Sequence, residues 1–157
     1  MRRAATALLA LIGIVGLAFF AMGFYSQSGK APGLVAGQLT PCPNKPNCVN
    51  SESAPSDDHA IAALLIHSAM GDDPIQFAKL KIEARGGKIT RVEADYLAAE
   101  FTSGFFGFVD DVEMRRNADN TALHVRSASR AGYSDWGVNR KRVETLRNDM
   151  AQQTNKL

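Results

Sequence analysis

The chain is poor in the residues that most often build metal and redox centres: its 157 residues include only two cysteines and three histidines. Cys42 and Cys48 form neither a Cys-x-x-Cys nor a Cys-x-x-Cys-His arrangement, which argues against a thioredoxin-like dithiol and against covalent haem attachment. His59, His67 and His124 have no recognised ligand spacing, so no metal and no other cofactor is expected. No serine sits in a Gly-x-Ser-x-Gly turn and no histidine pairs with one by spacing, so the familiar hydrolase constellation is missing. A basic surplus is missing as well. Arg2, Arg3 and Lys30 flank the apolar N-terminal run, and beyond Lys30 the chain carries 15 basic against 16 acidic residues. Phosphate neutralisation needs a clustered excess of positive charge, so no nucleic acid is expected as a partner. No internal repeat is visible.

One long hydrophobic run is present. From Ala4 to Tyr25 no residue is charged, and a helix of about 22 residues is about 33 Å long, enough to cross a bilayer. Residues 1–25 therefore read as a transmembrane anchor. A cleaved signal peptide competes with this reading, because Arg2 and Arg3 form a basic n-region and Ala21-Met22-Gly23 offers small residues to a peptidase. Signal h-regions are shorter, however, at about 7–15 residues. Positive charge before the span places the domain outside the cytoplasm. The expected location is a bacterial inner membrane, single-pass with the domain in the periplasm, or release into the periplasm after cleavage. The span has no Gly-x-x-x-Gly motif to support helix pairing. Cys42 and Cys48 suit an oxidising compartment, and a disulfide across the turn-rich Pro43–Asn47 loop is expected. Its short loop makes it a local staple of about 2 to 2.5 kcal/mol.

Residues 26–38 contain three glycines and a proline and read as a linker, leaving 39–157 as the domain. Ala60 to Met70 suits either a helix or a strand. Asp73-Pro74 opens a helix that Gly86-Gly87 closes. Lys88–Ala94 and Tyr96–Thr102 form a hairpin, the second run turning Leu97, Ala99 and Phe101 to one side. Phe106, Phe108, Val112 and Met114 are expected in one core-facing row that also contains Asp110. Ala122–Ser129 is a further strand after a turn at Asn117–Thr121. Val138, Val143, Leu146 and Met150 mark a last amphipathic helix ending near Gln153. The fold class is α+β, with a largely antiparallel sheet and two principal helices, preceded by one N-terminal transmembrane helix.

Three segments stand out: Cys42-Pro-Asn-Lys-Pro-Asn-Cys48-Val49, Phe105-Phe-Gly-Phe-Val-Asp-Asp111, and Arg126-Ser-Ala-Ser-Arg130 continuing through Tyr133 and Trp136 to Arg140. Together they resemble the bacterial and plant family catalogued as domain of unknown function 1499, over about Leu39 to Asn148. The resemblance implies an exported or membrane-anchored domain with no established activity, and it implies that the Asp-Asp and Arg-Ser-x-Ser-Arg segments are characteristic of the group.

In a strand, Arg126 and Arg130 share one face with His124 and Ala128. With Arg140 at the start of the last helix they could hold a carboxylate or phosphate, with Ser127, Ser129 and Tyr133 as hydrogen-bond partners. Asp110 and Asp111 either belong to that site or neutralise the arginines in an internal ion-pair network. A less favoured reading makes the aspartates the base or metal ligands of a hydrolase, and another makes the domain a scaffold or assembly subunit of a membrane complex. The expected partners are the membrane, through the N-terminal helix, and an anionic small molecule or a membrane protein. Asp135 reads as a helix cap, Trp136 as a packing anchor, and Phe105 and Phe106 as core and strand-face residues.

Overall fold

The computed structural model describes residues 2–151. The uncharged run forms α1, Arg2–Gln27, about 39 Å long at 1.5 Å per residue. A short ribbon follows, β1 (Leu34–Val35) and β2 (Gln38–Leu39), then β3 (Cys48–Asn50) and β4 (Leu64–Leu65). Helix α2 (Pro74–Ala84) precedes four strands, β5 (Lys88–Val92), β6 (Tyr96–Thr102), β7 (Val109–Arg116) and β8 (Ala122–Ser129), and α3 (Val138–Ala151) closes the described chain. The expected end near Gln153 lies outside the described residues. The main sheet runs β3-β8-β7-β6-β5, with β4 also on β8, and every pairing is antiparallel. This is the α+β architecture that the pattern predicts, with the apolar helix in front of it. Ala60–Met70, open in sequence, resolves into β4 and a single turn of 3-10 helix at Ser68–Met70.

The helix signals operate as chemistry requires. The Asp73 carboxylate accepts from the Gln76 N–H at the start of α2, and Pro74 takes the first helical position, where its missing N–H costs nothing. Strand parity then assigns the layers. Leu97, Ala99, Val112, Met114, Leu123 and Val125 bury one face of the sheet against Ile75, Ala78 and Ile82 of α2 and Val143, Leu146 and Met150 of α3. Each fully buried aliphatic side chain there contributes about 1.5–3 kcal/mol.

The opposite face departs from expectation. Residues 26–38 do not form a free spacer: the chain leaving α1 runs along this face as a strap. Gly33 N–H donates to the Glu113 carboxylate, the Thr40 hydroxyl to Gly33 O, and Leu39 N–H to Glu52, while Leu39 packs with Tyr96 and Ala98. The strap is held because the sheet beneath it presents acceptors that would otherwise be buried unsatisfied.

Two aromatic expectations are also corrected. β7 begins at Val109, so Phe106 and Phe108 are not members of its core row. They lie instead within a tight loop, with Gly107 at φ 72°, Phe108 N–H bonded to Ser103 Oγ and Ser103 N–H to Phe108 O. Their rings pack instead on α1: Phe19 lies 5.3 Å from Phe106 and 6.3 Å from Phe108, and Phe20 lies 5.1 Å from Phe106. Trp136 is not a packing anchor, since 95% of it is exposed.

Candidate functional site at the end of the N-terminal helix

Side chains alternate across a strand, so the odd residues of β7 (Asp111, Glu113 and Arg115) share the strap-covered face with the even residues of β8 (His124, Arg126 and Ala128). The register sets Glu113 directly opposite Arg126, and Asp111 opposite both Glu100 and Ala128. Glu113 is wholly buried, with 0% exposure. It accepts from Gly33 N–H at 2.8 Å, the Tyr96 hydroxyl at 2.7 Å and Arg126 Nη1 at 3.1 Å. Burial, then the hydrogen bond to Glu113, holds the Tyr96 hydroxyl well above the usual phenol range, so it stays a donor. Arg130 grips Asp111 with two nitrogens, at 2.8 and 2.6 Å, and also donates to Glu100 at 2.6 Å and to Ser26 O at the end of α1 at 3.3 Å. The hydrogen bond to Asp111 raises its pKa further above the ordinary guanidinium value.

These groups meet where α1 joins the sheet. Ser26 is buried, its hydroxyl donating to Gly23 O at 2.6 Å and accepting from Val109 N–H at 3.1 Å. A cleft of about 300 Å³ opens beside them, lined by Tyr25, Ser28, Lys30, Asp111, Arg126 and Arg130 among others. Arg130 enters with its donors engaged. Arg126 does not: Glu113 is its one acceptor among the described residues, and its Nε is buried with no partner. Lys30 is exposed and forms no ion pair among the described residues.

The structure divides the expected site residues. Arg126, Arg130 and Asp111 come together. Asp110 points to the helix-covered face, as consecutive strand residues must. There it binds Arg142 Nη2 at 2.6 Å, while Arg142 lies over the Phe101 ring at 4.6 Å. The two aspartates thus cannot serve one reacting centre as a pair, and each is matched to its own arginine. Ser127 and Ser129 also face the helices, the hydroxyl of Ser127 donating to Asn139 Oδ1 at 2.6 Å and that of Ser129 accepting from Asn139 Nδ2 at 3.0 Å. Neither hydroxyl is on the face of Arg126, although Ser129 still contributes to the lining of the cleft. Arg140 is remote from the cleft and donates to the carbonyls of Ala60 and Asp58 at 2.9 and 2.8 Å. Tyr133 is 69% exposed. Asp135 does cap α3, accepting from Gly137 and Asn139 N–H, which occupies the amides that could have met an anion there. Cys42 and Cys48 are joined, S–S 2.02 Å.

Sequence reasoning passes over Glu113, Glu100 and Arg142. Of these, Glu113 is within its reach, since it follows Asp111 at the period of two.

His124 ends the same face. Its Nδ1 lies 3.2 Å from the Ser51 hydroxyl, which accepts from Val125 N–H, and 3.8 Å from Glu52. Glu52 is already paired with Arg115. Burial lowers the His124 pKa below 6.5, Glu52 opposing this and Arg115 adding to it. The folded form thus binds this proton more weakly than the unfolded chain, and the contribution of His124 to stability is lost as pH falls below the unfolded value. The melting temperature is expected to fall from about pH 7.5 to about pH 5.5, with a shallower fall in His124→Asn. Equal slopes in the two proteins would show that other groups govern this range.

The family described as protein of unknown function (DUF1499) matches residues 38–150, and the chain belongs to that family. Comparison with curated proteins and with solved structures returns no match. The matched segment begins at the end of the strap, so α1 and most of the strap precede it while contributing Ser26, Ser28 and Lys30 to the cleft.

Proposed function

We propose that this is a single-pass envelope protein, anchored in a bacterial inner membrane with its domain in the periplasm, that binds a carboxylate- or phosphate-bearing group in the cleft between the anchor and the sheet. The basic residues Arg2 and Arg3 ahead of the span and the disulfide beyond it support this orientation. Retention of the anchor is supported by its docking. Cleavage after Gly23 would strip Phe19 and Phe20 from Phe106 and Phe108 and leave that aromatic surface bare.

The observation that carries the binding reading is the unsatisfied guanidinium of Arg126 beside an unpaired Lys30. Arg130 has all its donors engaged, whereas Arg126 spends one nitrogen on Glu113 and Lys30 none on an acid among the described residues, so an incoming anion can draw on the remaining donors of these two side chains. Lys30 is exposed and makes no ion pair among the described residues, which lets it test the site without disturbing the fold. Titrating inorganic phosphate, and separately succinate, into the full chain in zwitterionic nanodiscs should give saturable calorimetric binding. Lys30→Gln should weaken it about five- to tenfold, equivalent to about 1–1.4 kcal/mol. Absence of saturable heat with either anion, or equal affinity in the variant, removes the binding function and leaves the arginine face as architecture.

A further inference from the structure

We propose that the end of the sheet carrying the 103–108 and 130–137 loops is a membrane-seated foot, in which Phe105, Tyr133 and Trp136 enter the interfacial zone of the lipid bilayer. This rests on the reading of α1 as a retained anchor and is independent of the anion cleft.

The direction of the chain supplies the geometry. From Ser26, bonded to Val109, the strap climbs the sheet to Gly33, bonded to Glu113. Helix α1 leaves the opposite way: Gly23 touches Phe106, and Phe19 and Phe20 pack against Phe105, Phe106 and Phe108. Beyond that cluster the helix is bare, with Leu9, Ile12 and Leu17 exposed. The span therefore projects past the end of the sheet where β7 begins. β8 ends at that same level, because Ser129 pairs with Asp110 and Arg130 N–H bonds Val109 O. The 130–137 loop consequently turns on the side from which α1 departs. Val138, at its exit, lines a shallow cleft with Phe101, the residue opposite Asp110.

This end is aromatic and its rings are not buried. Phe105 is 75% exposed, although it lies 5.9 Å from Phe20 in the span. Contact with a span residue sets its depth: a membrane that holds Phe20 reaches Phe105 too. Trp136 sits at φ 55° between Asp135, whose carboxylate takes the Gly137 and Asn139 N–H groups, and Gly137 at φ 79°. A non-glycine residue held in the left-handed region carries backbone strain, and here that conformation keeps the largest apolar side chain of the domain away from the core. Tryptophan and tyrosine favour the headgroup region, where an apolar ring and a polar N–H or O–H are both satisfied. Lys45, exposed in the disulfide loop, adds a cation at this end, since Asn47 of that loop bonds Gly132 O and Ser129 N–H. The occupant that is continuous with the anchor helix is thus the lipid surface itself.

The chain holds one tryptophan, so its fluorescence reports on Trp136 alone. The full chain is reconstituted into phosphatidylcholine vesicles with acyl chains brominated near the headgroup, and quenching is compared with that by aqueous iodide. The bromolipid should quench at least ~2-fold more strongly than iodide, as interfacial seating requires, and Phe105→Asp should reduce that quenching. Vesicle-bound protein whose Trp136 is reached by iodide and not by bromine overturns the foot while leaving the anchor intact. Protein that fails to sediment with vesicles overturns both.

Discussion

Replacing Glu113 by alanine is expected to remove about 3–5 kcal/mol of folding stability, a large share of the roughly 5–15 kcal/mol that domains of this size possess. The substitution strands three groups at once. Arg126 loses its counter-charge in a buried position, and the Tyr96 hydroxyl and Gly33 N–H lose their acceptor. Deleting one partner of a buried ion pair is far more damaging than replacing the pair, because the survivor keeps its desolvation cost and has no compensation. The double substitution Glu113→Leu with Arg126→Met should therefore recover the part of the loss that comes from the stranded charge, while the part from the Tyr96 hydroxyl and Gly33 N–H, which still lack an acceptor, persists. Urea unfolding followed by far-ultraviolet circular dichroism reads both proteins. A single-variant loss below about 1 kcal/mol, in the range of an exposed ion pair, would place Glu113 in contact with water and contradict its burial.

Gly23→Leu should detach α1 from the domain. A Cβ at Gly23 would stand 1.8 Å from Phe106 O, and the obstacle is backbone that cannot step aside. Relief requires the helix to lift, which separates Phe19 and Phe20 from the loop aromatics and draws Ser26 from Val109 N–H. Breaking several aromatic pairs, at about 0.5–1.5 kcal/mol each, together with a buried hydrogen bond of about 1 kcal/mol, costs more than a local adjustment can restore. Amide exchange at Val109 and proteolysis within Gln27–Pro32 should rise by about 10-fold or more, while the melting of the α2/α3 core is left nearly unchanged. Unaltered exchange at Val109 would show that the helix accommodates the side chain without moving.

The strands and helices are legible in the sequence because their periodicities are local. Leu97, Ala99 and Phe101 announce a core face in β6, and Asp73-Pro74 announces the start of α2. The same period of two turns the hydroxyls of Ser127 and Ser129 toward Asn139 and away from Arg126 and Arg130, so although Ser129 lines the cleft, grouping both hydroxyls with the arginines sets the proximity of neighbours in sequence above the alternation of the pleat. Asp110 and Asp111 are legible as partners of arginines, yet Asp110 meets Arg142, twelve positions beyond Arg130, because α3 lies over that face. Phe106 and Phe108 keep strand spacing while packing on a helix that precedes them by more than eighty residues. No local pattern carries that information. The strap is hidden for a related reason: Gly, Pro and Ser read as a spacer when their acceptors, Glu113 above all, lie far along the chain. Trp136 defeats the expectation of an anchor because a large ring is ordinarily buried, and the backbone angle that turns it outward has no sequence signal beyond the following Gly137.

The route from Ser26 to Leu39 leaves no slack between helix and sheet. A domain hung on a flexible tether can point anywhere; this one has a fixed azimuth about the axis of α1. Any rotation or tilt of that helix must be delivered as the same rotation of the sheet, with Arg130, gripping Asp111 on one side and the Ser26 carbonyl near the end of α1 on the other, acting as the key in the shaft.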